Sequence, residues 1–254
     1  MSMNVAKTRY ALKRRIDNFF ASGEEQRAAR ALIDAVAAQH QAWIFGGMLR
    51  DISLFGHDGF TSDIDIVFAG ERDDLLHLLS RFHMEHFATN KLGGIRFRYC
   101  SLDFDIWCLS DTWAFKENII PLEDAQSLLH TTLMSWDAVL YDVHRGEILT
   151  PENYLQNLKR GYLELVLDAT PNETGSVVKI LRTIYNKQVK MLGPVLGEFL
   201  RSALLRHSFS ALQHYELTHY DTSSFDDTKY DLLLNRLCET ETGYSVDVTH
   251  LRTN

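Results

Sequence analysis

The sequence predicts an α+β protein, a small mixed sheet with flanking helices up to about residue 150 followed by a mostly helical C-terminal part. Three observations carry that prediction. Short apolar or alternating runs, bounded by glycine or polar turns, recur between residues 42 and 109 and read as strands. Stripes with the helical period flank and separate those runs. From Pro151 onward the alternating runs give way to helical patterns.

The elements follow in order. Residues 6–20 place Tyr10, Leu12, Ile16, Phe19 and Phe20 among Lys and Arg, and residues 23–40 carry Leu32, Ile33, Val36 and Ala37 on one stripe, so both read as amphipathic helices. Ala42-Trp43-Ile44-Phe45 is a short apolar strand that stops at Gly46-Gly47. A helix is expected from Met48 to Phe55, a half-buried strand from Asp63 to Phe68, and a helix over 71–83. Two strands follow, Gly94 to Cys100 and Leu102 to Leu109; in the second, Leu102, Phe104, Ile106 and Cys108 share one face and Asp103, Asp105 and Trp107 the other. Residues 134–149 suit a hairpin turning near His144-Arg145-Gly146. Helices are expected over 152–165, 175–190, 194–214 and 227–239, with a polar loop from Thr218 to Asp227. The organisation expected is therefore N-terminal helices over 1–40, a mixed-sheet domain over 41–150 and a helical domain over 151–254.

Composition narrows the possible functions. At 254 residues, 45% hydrophobic and 24% charged, the chain can bury a sizeable core. Its net charge of −8 argues against sequence-blind nucleic-acid affinity, which needs clustered Lys and Arg, while leaving room for a local basic groove. There is no apolar run of about 18 residues, so no membrane span or membrane partner is expected. The basic N-terminus lacks an apolar signal core. Cys100, Cys108 and Cys238 fit neither a CxxC pattern nor an even disulfide framework. These features together point to a cytoplasmic protein. His77, His83 and His86 complete no zinc pattern, and Lys7, Arg9, Lys13, Arg14 and Arg15 either contact RNA or an acidic partner or form the solvated face of a helix, the commoner case.

The informative stretch is 44–68, IFGGMLRDISLFGHDGFTSDIDIVF. A strand leads to Gly46-Gly47 and a helix starts at once; paired glycines let backbone approach a bulky anion, and a helix N-terminus offers unpaired N–H groups to phosphate. Asp63 and Asp65 stand two apart on a strand, so both carboxylates project from one face. Such a pair suits Mg²⁺, a hard cation held by a few carboxylates together with substrate phosphates. Asp105 or Asp103 on the later strand can complete the cluster. Three carboxylates beside a phosphate-cradling turn describe two-metal phosphoryl transfer. Arg96 and Arg98 share a face and meet either a triphosphate or solvent.

The pattern Gly46-Gly47-x-x-Arg50-Asp51 followed by Asp63-x-Asp65 resembles the head domain of class II tRNA nucleotidyltransferases and bacterial poly(A) polymerases, of the DNA polymerase β-like nucleotidyltransferase superfamily. The resemblance implies a polymerase β-like nucleotidyltransferase head in which Asp63 and Asp65 bind catalytic Mg²⁺ or Mn²⁺ while Gly46 and Gly47 shape the triphosphate site. Arg50 takes either a nucleotide contact or a structural ion pair, Arg96 is a candidate nucleotide contact, and Asp105 is favoured over Asp103 as the third acid. More weakly, Trp136 to Asp142 with Gly146 to Leu149 resembles the segment after the family's second motif, and Leu158 to Val166 with Ile180-Leu181-Arg182 is similar to the entry of its helical neck. The departures are specific. Thr131-Thr132-Leu133-Met134-Ser135-Trp136 stands where the second motif has arginines and an aspartate. In the neck, Gly175-Ser176 replaces an acidic pair and Lys179 replaces the first of two arginines, leaving Arg182. The chain also ends short of the family's full body and tail, which hold tRNA. The function expected is transfer of a nucleoside monophosphate from an NTP to an acceptor hydroxyl with release of pyrophosphate. The acceptor is an RNA 3′ end, such as tRNA, or else a protein or small molecule. The competing expectation is a catalytically inactive NTP-binding or protein-interaction module on the same fold. Oligomeric state is left open.

Overall fold

A computed structural model of the chain describes residues 3–60, 62–220 and 222–252. Two compact units are present, Met1–Thr132 with Trp136–Leu155, and Leu133–Ser135 with Gln156–Asn254. The first holds, in chain order, α1 (Arg9–Ala21), α2 (Glu24–Ala37), β1 (Ala42–Phe45), α3 (Gly47–Phe55), β2 (Ile64–Phe68), α4 (Arg72–Leu79), β3 (Glu85–Thr89), β4 (Ile95–Tyr99), β5 (Leu102–Cys108), α5 (Trp113–Lys116), β6 (Leu140–Asp142) and β7 (Glu147–Leu149). Helix α6 (Tyr154–Arg160) spans the boundary between the units.

The seven strands form one mixed sheet in the order β3-β4-β5-β2-β1-β6-β7. Only β2 and β5 run parallel; every other neighbouring pair is antiparallel. The expected α+β class is therefore the observed one. Thr8 caps α1 by accepting from the Ala11 N–H, and Leu12, Ile16, Phe19 and Phe20 form the buried stripe of that helix. One sheet face buries Ile44, Ile64, Ile66, Ile95, Phe97, Phe104 and Ile106. On the opposite face Trp43, Val67 and Leu140 are covered by Phe115, Leu128 and Leu129 from the segment after β5. On the same face Asp65, Asp105 and Arg96 lie in register on adjacent strands.

The second unit contains β8 (Tyr162–Leu163), α7 (Glu173–Asn186), β9 (Met191–Leu192), α8 (Pro194–Arg206), α9 (Phe209–His219), α10 (Asp227–Glu239) and β10 (Val246–Asp247). Its strands form a small sheet in the order β10-β9-β8. The helix expected over 194–214 is two helices. His207 takes an extended backbone and Ser208 starts α9 by accepting from the Ala211 N–H, so a capping serine interrupts a continuous apolar stripe. The helix expected over 152–165 ends at Arg160, because Gly161 adopts a positive φ of 70° and the chain turns into β8. Strand β3 went unseen in the sequence because all five of its residues are exposed and carry no alternation. Among the described residues no helix is long and apolar enough to cross a membrane.

Candidate active site

Strand β1 delivers the chain to Gly46, whose φ of 67° and ψ of −114° lie where L side chains are strained. The Gly46 N–H donates to the Val139 carbonyl and its own carbonyl accepts from Arg50 N, each at 3.0 Å, which turns the strand directly into α3. No side chain caps that helix. The N–H groups of its first turn therefore have no intrahelical acceptor, and they present the positive end of the helix to an anion. A Cβ at Gly47 would sit 3.7 Å from both Arg50 Nη2 and Ser62 Oγ, an ordinary contact. Packing within the turn therefore does not require glycine at 47.

Arg50 lies beneath the turn. It is buried, its Nε donates to Asp51 Oδ1 at 2.8 Å, and its Nη1 pairs with Asp137 Oδ1. Burial alone would disfavour the charged guanidinium, but Asp137 and Asp51 outweigh it and hold Arg50 above its ordinary pKa. Beside the network Tyr154 donates to the Trp136 carbonyl at 2.9 Å. Of the two roles open to Arg50, the structure displays the ion pair, which ties α3 to the 135–137 turn. Asp137 was not singled out in the sequence, because its partner lies 87 residues away.

The acids are brought together by register. Asp65 on β2 is the direct partner of Asp105 on the parallel strand β5, and Asp105 is in turn the partner of Arg96 on β4. Phe45, the residue before the glycine turn, is the partner of Asp65. Arg96, Asp105, Asp65 and Phe45 thus form a row across four strands on one face, with Asp63 two residues before Asp65 on the same side. Asp103 sits further along β5, exposed, and is bound by Arg98 through two hydrogen bonds of 2.8 and 2.7 Å. Its carboxyl is held below the ordinary range by that hydrogen-bonded guanidinium. Asp105 rather than Asp103 therefore adjoins Asp65.

Asp105 is buried, and Arg96 Nε donates to its Oδ2 at 2.7 Å. Burial pushes the Asp105 carboxyl above its ordinary pKa despite Arg96, and the charge of Asp63 pushes the same way. Arg96 is held above its own ordinary value first by that hydrogen bond, with Asp63 and Asp65 adding to it. The second oxygen, Oδ1, is buried and makes no hydrogen bond of good geometry, although the Asn90 carboxamide lies near it. It faces the β3–β4 loop, where a Cβ at Gly94 would come within 2.8 Å of it. Asn90 Oδ1 organises that loop by accepting from the N–H groups of Leu92 and Gly94, each at 2.9 Å. The Asn-x-x-Gly-Gly spacing was the sequence signal for this loop.

Among the described residues, no three His, Cys, Asp or Glu side chains are grouped so as to hold a metal ion. Asp63 and Asp65 on one face remain a fitting oxygen donor pair for one hard divalent cation. In the second unit Arg182 pairs with the buried Glu216 at 2.6 Å, donates to the Thr222 carbonyl at 2.7 Å and lies 4.0 Å over the Tyr220 ring. Its guanidinium is committed within the helical unit.

The fold is similar to that of solved tRNA nucleotidyltransferase structures. No protein-family model matches the sequence, and no curated protein is significantly similar to it. Solved structures are similar in fold. A CCA-adding enzyme in complex with CTP aligns with a TM-score of 0.62 at 14% identity, over 88% of this chain and 54% of its own. The Thermotoga maritima CCA-adding enzyme complexed with tRNA gives the same values, TM-score 0.62, 14% identity, 88% and 54%. A tRNA nucleotidyltransferase complexed with a primer tRNA and an incoming ATP analog aligns with a TM-score of 0.55 at 16% identity, over 73% of this chain and 55% of its own. The chain thus spans about half the length of these structures. At such identities the likeness is one of fold.

Proposed function

We propose that the chain is a divalent-metal-dependent nucleotidyltransferase that moves a nucleoside monophosphate from an NTP to an acceptor hydroxyl and releases pyrophosphate. The observation that carries this reading is the register that sets Asp65 beside Asp105 and beside the strand ending in the Gly46 turn. The uncapped first turn of α3, entered through Gly46 and Gly47, binds the triphosphate through backbone N–H groups. Asp63 and Asp65 hold Mg²⁺ or Mn²⁺, which when bound neutralises phosphate charge and polarises the phosphoryl group. The buried Arg50–Asp51–Asp137 network keeps the turn rigid under the substrate, so Arg50 acts here as a positioning residue. Arg96, exposed over much of its side chain, lends positive charge at the rim.

An RNA 3′ end is the acceptor we place first, because the similar solved structures include complexes with tRNA. A protein or small-molecule acceptor comes second, supported by the net charge of −8 and by the commitment of Arg182 to Glu216. The competing reading, an inactive NTP-binding or protein-interaction module, draws on the closure of Asp105 by Arg96. Incubation with Mg²⁺, each α-labelled NTP and either total RNA or protein extract separates these readings. Transfer of label into one acceptor class, reduced at least 100-fold in an Asp63→Asn/Asp65→Asn double variant, is the expected outcome. Equal labelling by wild type and double variant would refute the mechanism. No labelling, together with an NTP-dependent rise in melting temperature, would install the binding-module reading instead.

A further inference from the structure

Each oxygen of Asp105 has a protein neighbour on the β4 side of the strand. Oδ2 accepts from Arg96 Nε at 2.7 Å, and Oδ1 faces the backbone of Gly94, close enough that a Cβ there would meet it at 2.8 Å. The carboxylate side chain is nine-tenths buried, with 9% exposure, whereas the Arg96 side chain that holds it is 63% exposed. A cross-strand pair in direct register fixes this geometry through the backbone ladder, without relying on side-chain choice alone. A guanidinium is a permanent cation at any physiological pH. A dication approaching Asp105 would have to displace it or accept its repulsion. Among the described residues no three acids are grouped so as to hold a metal ion.

We infer that Arg96 takes the place of a second metal ion in this site, so that the chain binds one divalent cation, on Asp63 and Asp65, and Asp105 is a partner of Arg96 and not a metal ligand. This inference rests on the reading of Asp63 and Asp65 as a divalent-cation site. The charge at the third acid is then built into the protein. A site of this kind needs one ion from solution where a three-carboxylate site takes two.

Mn²⁺ titration of the full chain without nucleotide, followed by the electron paramagnetic resonance signal of free Mn²⁺, tests it. Wild type is expected to bind one ion per chain. Asp63→Asn should weaken that ion at least tenfold, and Asp105→Asn should leave its count unchanged and its Kd within threefold. Arg96→Gln, which frees the Asp105 carboxylate, should admit a second ion. Two ions in wild type would overturn the inference while sustaining the divalent-site reading, as would a tenfold loss of affinity in Asp105→Asn. A count that stays at one in a folded Arg96→Gln variant would also overturn it. If wild type binds no ion and Asp63→Asn behaves identically, the divalent-site reading and the inference fail together. Circular dichroism establishes folding of each variant, and the Asp105→Asn titration decides the matter if Arg96→Gln does not fold.

Discussion

At the residue scale the site depends on a few positions whose identity is dictated by backbone or burial. Gly46 is one of them. Its conformation costs an L residue about 1–3 kcal/mol, and its position between β1 and α3 allows no relaxation without moving the helix N-terminus. Gly46→Ala is therefore expected to lower the melting temperature by roughly 4–8 °C, taking about 2 kcal/mol and about 2–4 °C per kcal/mol for a chain of this size. It should also weaken NTP binding, and thermal unfolding with and without nucleotide checks both effects. Unchanged stability would mean that the turn tolerates a side chain and that glycine is not conformationally required. Arg50 shows the complementary case. A guanidinium in the interior persists only because Asp51 and Asp137 both meet it.

At the scale of elements, strand register and helix pairing perform the assembly. The parallel β2–β5 pair is joined through α4, β3 and β4, so Asp65 and Asp105 meet although 40 residues of sequence separate them. In the helical unit the comparable device is the α7–α9 pair. Glu216 on α9 has no exposed surface; it receives Arg182 of α7 at 2.6 Å, the Ser224 N–H at 2.9 Å and the Ser223 hydroxyl at 3.3 Å. Removing one partner of such a pair leaves a largely buried charge, which costs about 3–5 kcal/mol. Glu216→Ala is thus expected to reduce amide hydrogen-exchange protection in α7 and α9 markedly, with Glu216→Gln retaining part of it. Protection equal to wild type in the alanine variant would show that the pair contributes little to the unit.

At the scale of the whole molecule, thiol reactivity is a direct check on which surfaces the fold closes. Cys100 and Cys238 are exposed, whereas Cys108 is buried at the end of β5. Burial pushes the Cys108 thiol up to about 11, so little thiolate exists there at neutral pH. Alkylation of the native protein at pH 8 should modify two cysteines quickly and the third only in denaturant. Rapid modification of all three would mean that the sheet face around Cys108 opens. The same scale governs the functional argument. The likeness to tRNA nucleotidyltransferases extends over most of this chain and about half of theirs.

Much of this protein was legible in the amino-acid order. Strand β1 and helix α10 lie where the periodicity puts them, and the Gly-Gly turn and the Asp63-x-Asp65 pair were apparent from spacing alone. These are local properties, set by side-chain period, turn chemistry and capping within a few residues of the position concerned. Period-two alternation could place Asp103 and Asp105 on one face but could not separate them, because register is decided by pairing with a distant strand. The same limit hid Asp137 as the partner of Arg50, Glu216 as the partner of Arg182, and the exposed strand β3, whose pairing with β4 supplies what its own pattern lacks. The tertiary structure alone decided which acid adjoins Asp65 and which cation holds that acid. Those contacts join segments far apart in the chain, and their free energy exists only once the sheet has formed.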